Sequence, residues 1–196
     1  FINTSGIGAV PAGVDISAAN AKPGDVVILS GTIGDHGIAV LSKREGMDFA
    51  TTLTTDSAPL NGMVEAMLKV TRSIHSMRDP TRGGLGTSLN EIAAKSEVGI
   101  EIDEAAVPVD PQVRDACDML GFDVFYVANE GKLVAFVPET DARDLLEAMK
   151  SAKYGENAAV IGRVVEDNSG LVTLNTQVGG RRILSPLSGE LLPRIC

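Results

Sequence analysis

The chain is poor in cysteine, and its two, Cys117 and Cys196, are too few for a disulfide framework. It lacks any long apolar run: the stretch at 26–29 falls far short of the roughly 20 residues a membrane-crossing helix needs. No basic region followed by an apolar segment opens the sequence, so nothing argues for export and cytoplasm is the expected location. Positive charge is also scarce. With 17 Lys and Arg against 26 Asp and Glu, the net charge is -9, which opposes attraction to a nucleic-acid backbone. A nucleotide stays admissible, because a small phosphate ligand needs only local donors such as the N–H groups of a helix start. Repeats and low-complexity tracts are absent.

What is present describes a globular protein. Hydrophobic residues make up 44% of 196, enough to bury a core in one large domain or one domain with part of another. The start, Phe1-Ile2-Asn3-Thr4, reads as a strand already in progress, so part of a preceding domain is expected to be missing. A turn at 22–25, a β-rich run at 26–30 and a glycine loop at 31–37 lead into a helical pattern from Ile38. Helical spacing of Leu60, Met63, Val64, Met67, Val70 and Ile74 predicts a core-facing helix, and strand, loop and helix recur over 74–93. Further on, the pattern predicts a strand at 98–102, a helix at 111–120, extended structure over 124–137 interrupted at 129–132, and a helix at 141–152. Strands at 158–165, 171–175 and 182–184 close the series, so the expected fold is α+β, a mixed sheet covered by helices.

Three segments carry chemistry. Asp79-Pro80-Thr81-Arg82-Gly83-Gly84 sets a carboxylate, a hydroxyl, a guanidinium and two glycines before a helix, which suits phosphate; the bland alternative is a helix cap built by Asp79 and Thr81. Asn129-Glu130-Gly131-Lys132 inserts polar groups into an apolar stretch, and Glu130, if it stands beside a buried reaction centre, could act as a general base, unless the segment is a hairpin turn with a solvated carboxylate. The tail from Leu187 ends on Cys196 and reaches at most roughly 35 Å when extended. His36, in the first glycine loop, reads equally well as structural or functional, and Cys117 reads as a small buried hydrophobe.

Taken together, the DPTRGG loop, the ANEGK segment and the terminal PRIC resemble the HypE family of hydrogenase maturation factors, within the wider PurM-like superfamily of aminoimidazole ribonucleotide synthetase. The resemblance covers essentially the whole chain. It implies the end of an N-terminal ATP-binding domain and linker at 1–18, a PurM-like C-terminal domain at 19–186, and a flexible tail at 187–196. It also implies an ATP-dependent carbamoyl dehydratase: a HypF carbamoyltransferase loads Cys196, the thiocarboxamide becomes a thiocyanate, and cyanide passes to iron on a HypC–HypD complex. Glu130 then matches the deprotonating carboxylate, and Asp79, Thr81, Arg82, Gly83 and Gly84 the phosphate-holding loop. ATP and Mg would be bound mostly by the absent N-terminal part, which in relatives also forms a homodimer. Two rivals remain: another ATP-dependent synthetase of the superfamily, such as a selenophosphate synthetase, and a non-catalytic carrier of a modified cysteine.

Overall fold

A computed structural model describes residues 5–46 and 53–187. The predicted strands at 1–4 and the tail beyond 187, with Cys196, lie outside the described residues. Seven strands form one mixed sheet: β1 (Asp25–Leu29), β2 (Ser76–Arg78), β3 (Gly99–Asp103), β4 (Val134–Pro138), β5 (Ala159–Val165), β6 (Val172–Asn175) and β7 (Arg181–Ile183). Their order is β2-β4-β1-β5-β3-β6-β7, and all neighbours are antiparallel except β3 and β6. Among the described residues five α-helices accompany it: α1 (Asp35–Glu45), α2 (Asn61–Val70), α3 (Gly84–Ser96), α4 (Pro111–Leu120) and α5 (Glu139–Ser151). None of them is long and apolar enough to cross a membrane.

Because side chains alternate along a strand, β1 and β4 divide their apolar residues between two cores. Val27, Leu29, Val134 and Phe136 point to the face covered by α3, through Leu85, Leu89 and Ile92. Ile28, Ala135 and Val137 point to the other, where Met63 and Met67 of α2 meet Leu145 and Met149 of α5. The methionines predicted as packing are therefore packing. A third, smaller cluster joins α1 to α4 through Ile38, Val113, Ala116 and Cys117, with Val127 against them.

Two expectations change. The first helix begins at Asp35 rather than Ile38, because Gly34 takes the left-handed N-cap conformation (φ 86°) and leaves Asp35 and His36 in the first turn. The region expected as extended over 124–137 holds one turn of 3-10 helix at Val124–Tyr126, started by Asp123 accepting from the Phe125 N–H, and becomes strand only at Val134. Asn129 to Lys132 is consequently a bend leading into β4 rather than a hairpin turn.

The sheet decides which loops meet. Leu29, the last residue of β1, and Arg78, the last of β2, both pair with Val134, the first of β4. The loop after β1, the loop after β2 and the bend before β4 therefore emerge at the same end of three adjacent strands. Ser30 seals the join: its N–H donates to Leu133 O and its hydroxyl accepts from the Leu133 N–H, each at 2.9 Å.

Candidate functional site

Asn129 ties the three segments together. Its side chain is buried, and its Oδ1 accepts from the Gly34 N–H at 2.8 Å. Its amide nitrogen donates to Pro80 O at 2.9 Å and to Val127 O at 3.2 Å. One side chain thus links the start of α1, the Asp79–Gly84 loop and the bend that carries Glu130. Buried amides are stabilising only when paired, so this triple satisfaction holds the loops in register.

Around Glu130 the geometry is set by Asp56. The Glu130 N–H donates to Asp56 Oδ1 at 3.0 Å, and Lys132 Nζ sits 3.3 Å from Asp56 Oδ2 and 3.6 Å from Asp35 Oδ2. Asp56 is 2% exposed and Lys132 11%, so water screens their attraction little. Between these two contacts lies Gly131, where a side chain would force the backbone to shift: a Cβ there would stand 1.8 Å from Asp56 O and 2.8 Å from Ala58 N. Thr32 donates its hydroxyl to Asp35, and burial nevertheless raises the Asp35 carboxyl above its usual range, opposed by Thr32 and Lys132 and reinforced by Asp56 and Asp110. His36 closes the cluster, with Nδ1 2.8 Å from Thr55 Oγ1 and 3.9 Å from Asp56 Oδ1; its buried Nε2 has no partner among the described residues.

On the other side of Asn129, Gly83 and Gly84 are both left-handed (φ 72° and 62°), and a Cβ on Gly84 would stand 2.5 Å from Phe125 O. Only glycine lets this loop lie flat on the 125–127 turn. Gly83 is the N-cap of α3 and no side chain caps it, so the alternative in which Asp79 and Thr81 serve as caps does not hold. Asp79 is exposed, 3.5 Å from Arg78 Nε, and Thr81 O accepts from the Gly84 N–H at 3.0 Å. Arg82 is exposed and has no partner among the described residues, which leaves its guanidinium free for an anion at a helix start.

The structure therefore brings the Asp79–Gly84 loop and the Glu130 bend together, and leaves the Glu130 carboxylate half-buried with no partner among the described residues. Cys196 lies outside them. The other thiol is unsuited to chemistry: Cys117 is 2% exposed, and burial, with Asp118 and Asp123 nearby, pushes it up to about 11. Sequence reasoning missed Asp35 and Asp56 and gave Lys132 no role. Lys132 was within reach, two residues from Glu130, but nothing in the run around Asp56 marks it.

These residues suit phosphate better than a metal. Among the described residues no three His, Cys, Asp or Glu side chains gather as ligands, and the paired carboxylates Asp35 and Asp56 already share a lysine ammonium where a cation would have to sit. The described part of this chain does not by itself fit Mg.

Known proteins resemble this chain in sequence and in fold. The family profile described as AIR synthase related protein, C-terminal domain, matches residues 22–175. A protein of Cupriavidus necator named carbamoyl dehydratase HypE is 54% identical over 196 residues, 100% of this chain and 56% of that protein. The crystal structure of hydrogenase maturation protein HypE in complex with ATP superposes with a TM-score of 0.88 at 46% identity, over 92% of this chain and 55% of that one. The crystal structure of a HypE–HypF complex gives 0.83 at 48% identity, over 86% and 55%. The chain spans about half the length of the relatives it matches.

Proposed function

The chain belongs to the family of AIR synthase related proteins, by their C-terminal domain, and we propose that the whole protein acts as an ATP-dependent carbamoyl dehydratase in the maturation of nickel–iron hydrogenase. The observation that carries this reading is the junction at Asn129, which links a phosphate-suited loop to the bend carrying a carboxylate with no partner among the described residues. In this reading residues 1–18 end a preceding domain, 19–186 form the PurM-like domain, and 187–196 are the tail that delivers Cys196.

A HypF-type carbamoyltransferase, as in the relative solved with HypF, loads the Cys196 thiol as a thiocarboxamide. ATP, as in the relative solved with it, supplies a phosphoryl group that turns the amide oxygen into a leaving group. The nitrogen releases one proton as the oxygen takes the phosphoryl group, and Glu130 takes the second as the carbon–nitrogen triple bond forms and the carbon–oxygen bond breaks, expelling inorganic phosphate and giving Cys196 thiocyanate. Arg82 and the Thr81–Gly84 backbone hold the phosphate and fix the reacting oxygen, with Asp79 at the loop's exposed start. The cyanide then passes to iron on a HypC–HypD complex. Mg, homodimerisation and most of the nucleotide site belong to the part of the relatives' length outside this chain, and the protein works in the cytoplasm.

Two substitutions in the full-length protein test this. Cys196→Ala abolishes loading, and Glu130→Gln loads normally but loses at least a hundredfold in ATP-dependent water loss. Full turnover of a free small substrate by Cys196→Ala would instead make the protein a synthetase, and normal processing by Glu130→Gln would make it a carrier.

A further inference from the structure

We infer that Asp56 is a positioning residue for the dehydration, acting through the Glu130 amide and the Lys132 ammonium; the inference rests on the reading of Glu130 as the base. One carboxylate makes two different contacts to residues that flank Gly131. Oδ1 accepts the Glu130 N–H at 3.0 Å, and Oδ2 faces Lys132 Nζ at 3.3 Å. The Asp56 carbonyl meanwhile lies where a Gly131 side chain would be.

The bend has little other means of keeping its shape. It follows a 3-10 turn and precedes the ladder of β4, and the next anchors along the chain are Asn129 on one side and Leu133 on the other. Both backbone dihedrals of Glu130 lie between those anchors. A base works only within hydrogen-bonding reach of its proton, so a carboxylate fixing the amide of Glu130 fixes the aim of its side chain. Lys132 is the second point of attachment, and the ion pair keeps the bend closed over the strap at 55–58.

A buried ion pair kept only for stability would behave differently from a positioning one, and the distinction can be measured. Asp56→Asn keeps an oxygen for the Glu130 N–H but presents an amide to the Lys132 ammonium; Asp56→Ala removes both contacts. In the full-length protein, we expect Asp56→Asn to lower kcat at least tenfold and Asp56→Ala further, with KM for ATP within twofold of the parent. Exchange of the Glu130 amide with solvent should quicken in Asp56→Ala.

Should the single variants fold poorly, Asp56→Asn and Asp35→Asn with Lys132→Met neutralise both carboxylates and the ammonium they share, so that no ion of the cluster is left unpaired. That triple variant should fold as the parent does and stay at least tenfold slow. Recovery to within twofold would show a role in stability alone and overturn the inference, as would Asp56→Asn within twofold of parent kcat. Glu130→Gln, run alongside, separates the two failures. If it is inactive while the Asp56 variants are normal, only this inference falls; if it is fully active, the reading of the site falls and the inference with it.

Discussion

At the residue scale, Asp35 shows what the loop junction costs. Its carboxyl is largely buried and its proton affinity raised, mainly by loss of water, with Thr32 and Lys132 compensating only in part. Above the ordinary value of 3.8 the folded carboxyl holds a proton that the unfolded one has released. The folded state then binds more protons, so this group's contribution to stability falls as pH rises from 3.8 through the higher folded value. Asp35→Asn removes that slope. Denaturant midpoints measured upward from about pH 4 should shift in favour of the variant relative to the parent until the folded carboxyl has ionised, and then hold level. A difference that is constant, or that moves the other way, would show that Lys132 outweighs burial at this carboxyl.

Among the elements, the strand ends at Leu29, Arg78 and Val134 determine which loops can cooperate, and the bend before β4 is the tightest of them. Gly131→Ala sets a methyl against backbone atoms of 56 and 58, which cannot rotate away as a side chain could. The variant should lose about 1–3 kcal/mol of stability, as overpacked sites do, and should lose turnover by more than its folded fraction explains. Thermal melts paired with activity per folded molecule measure both, and unchanged activity would mean that the Glu130 segment tolerates displacement. Much of this level was legible in the sequence. Helical spacing located α2 through Met63 and Met67, the pattern over 111–120 located α4, and the glycine pair marked the start of α3. The 3-10 turn at Val124–Tyr126 was not legible, because Val, Phe and Tyr have strand propensity and the side-chain contact that starts the turn comes from Asp123, one residue before it. Nor was Asp56, whose partners are 74 and 76 residues away and leave no local pattern.

On the scale of the whole molecule, the chain carries a sheet, two cores and a loop junction, and spans about half the length of its relatives. Its described residues offer Arg82 and one helix start to a nucleotide, but no cluster of metal-binding acids. On the proposed reading, the chain alone should bind ATP weakly and dehydrate nothing, and the full-length protein should bind ATP tightly and carry out the dehydration. Calorimetric titration with ATP and Mg compares them, and tight binding by the chain alone would relocate the nucleotide site into this domain.

Which atom carries the reacting group is the central point, and a mass spectrum of the C-terminal peptide decides it. Full-length protein incubated with a HypF-type carbamoyltransferase, carbamoyl phosphate and ATP should show a carbamoyl adduct on the peptide ending in Cys196. That adduct should lose water only when ATP is present, and Cys196→Ala should show neither change. No adduct at Cys196, or water loss independent of ATP, would contradict the thiocyanate route.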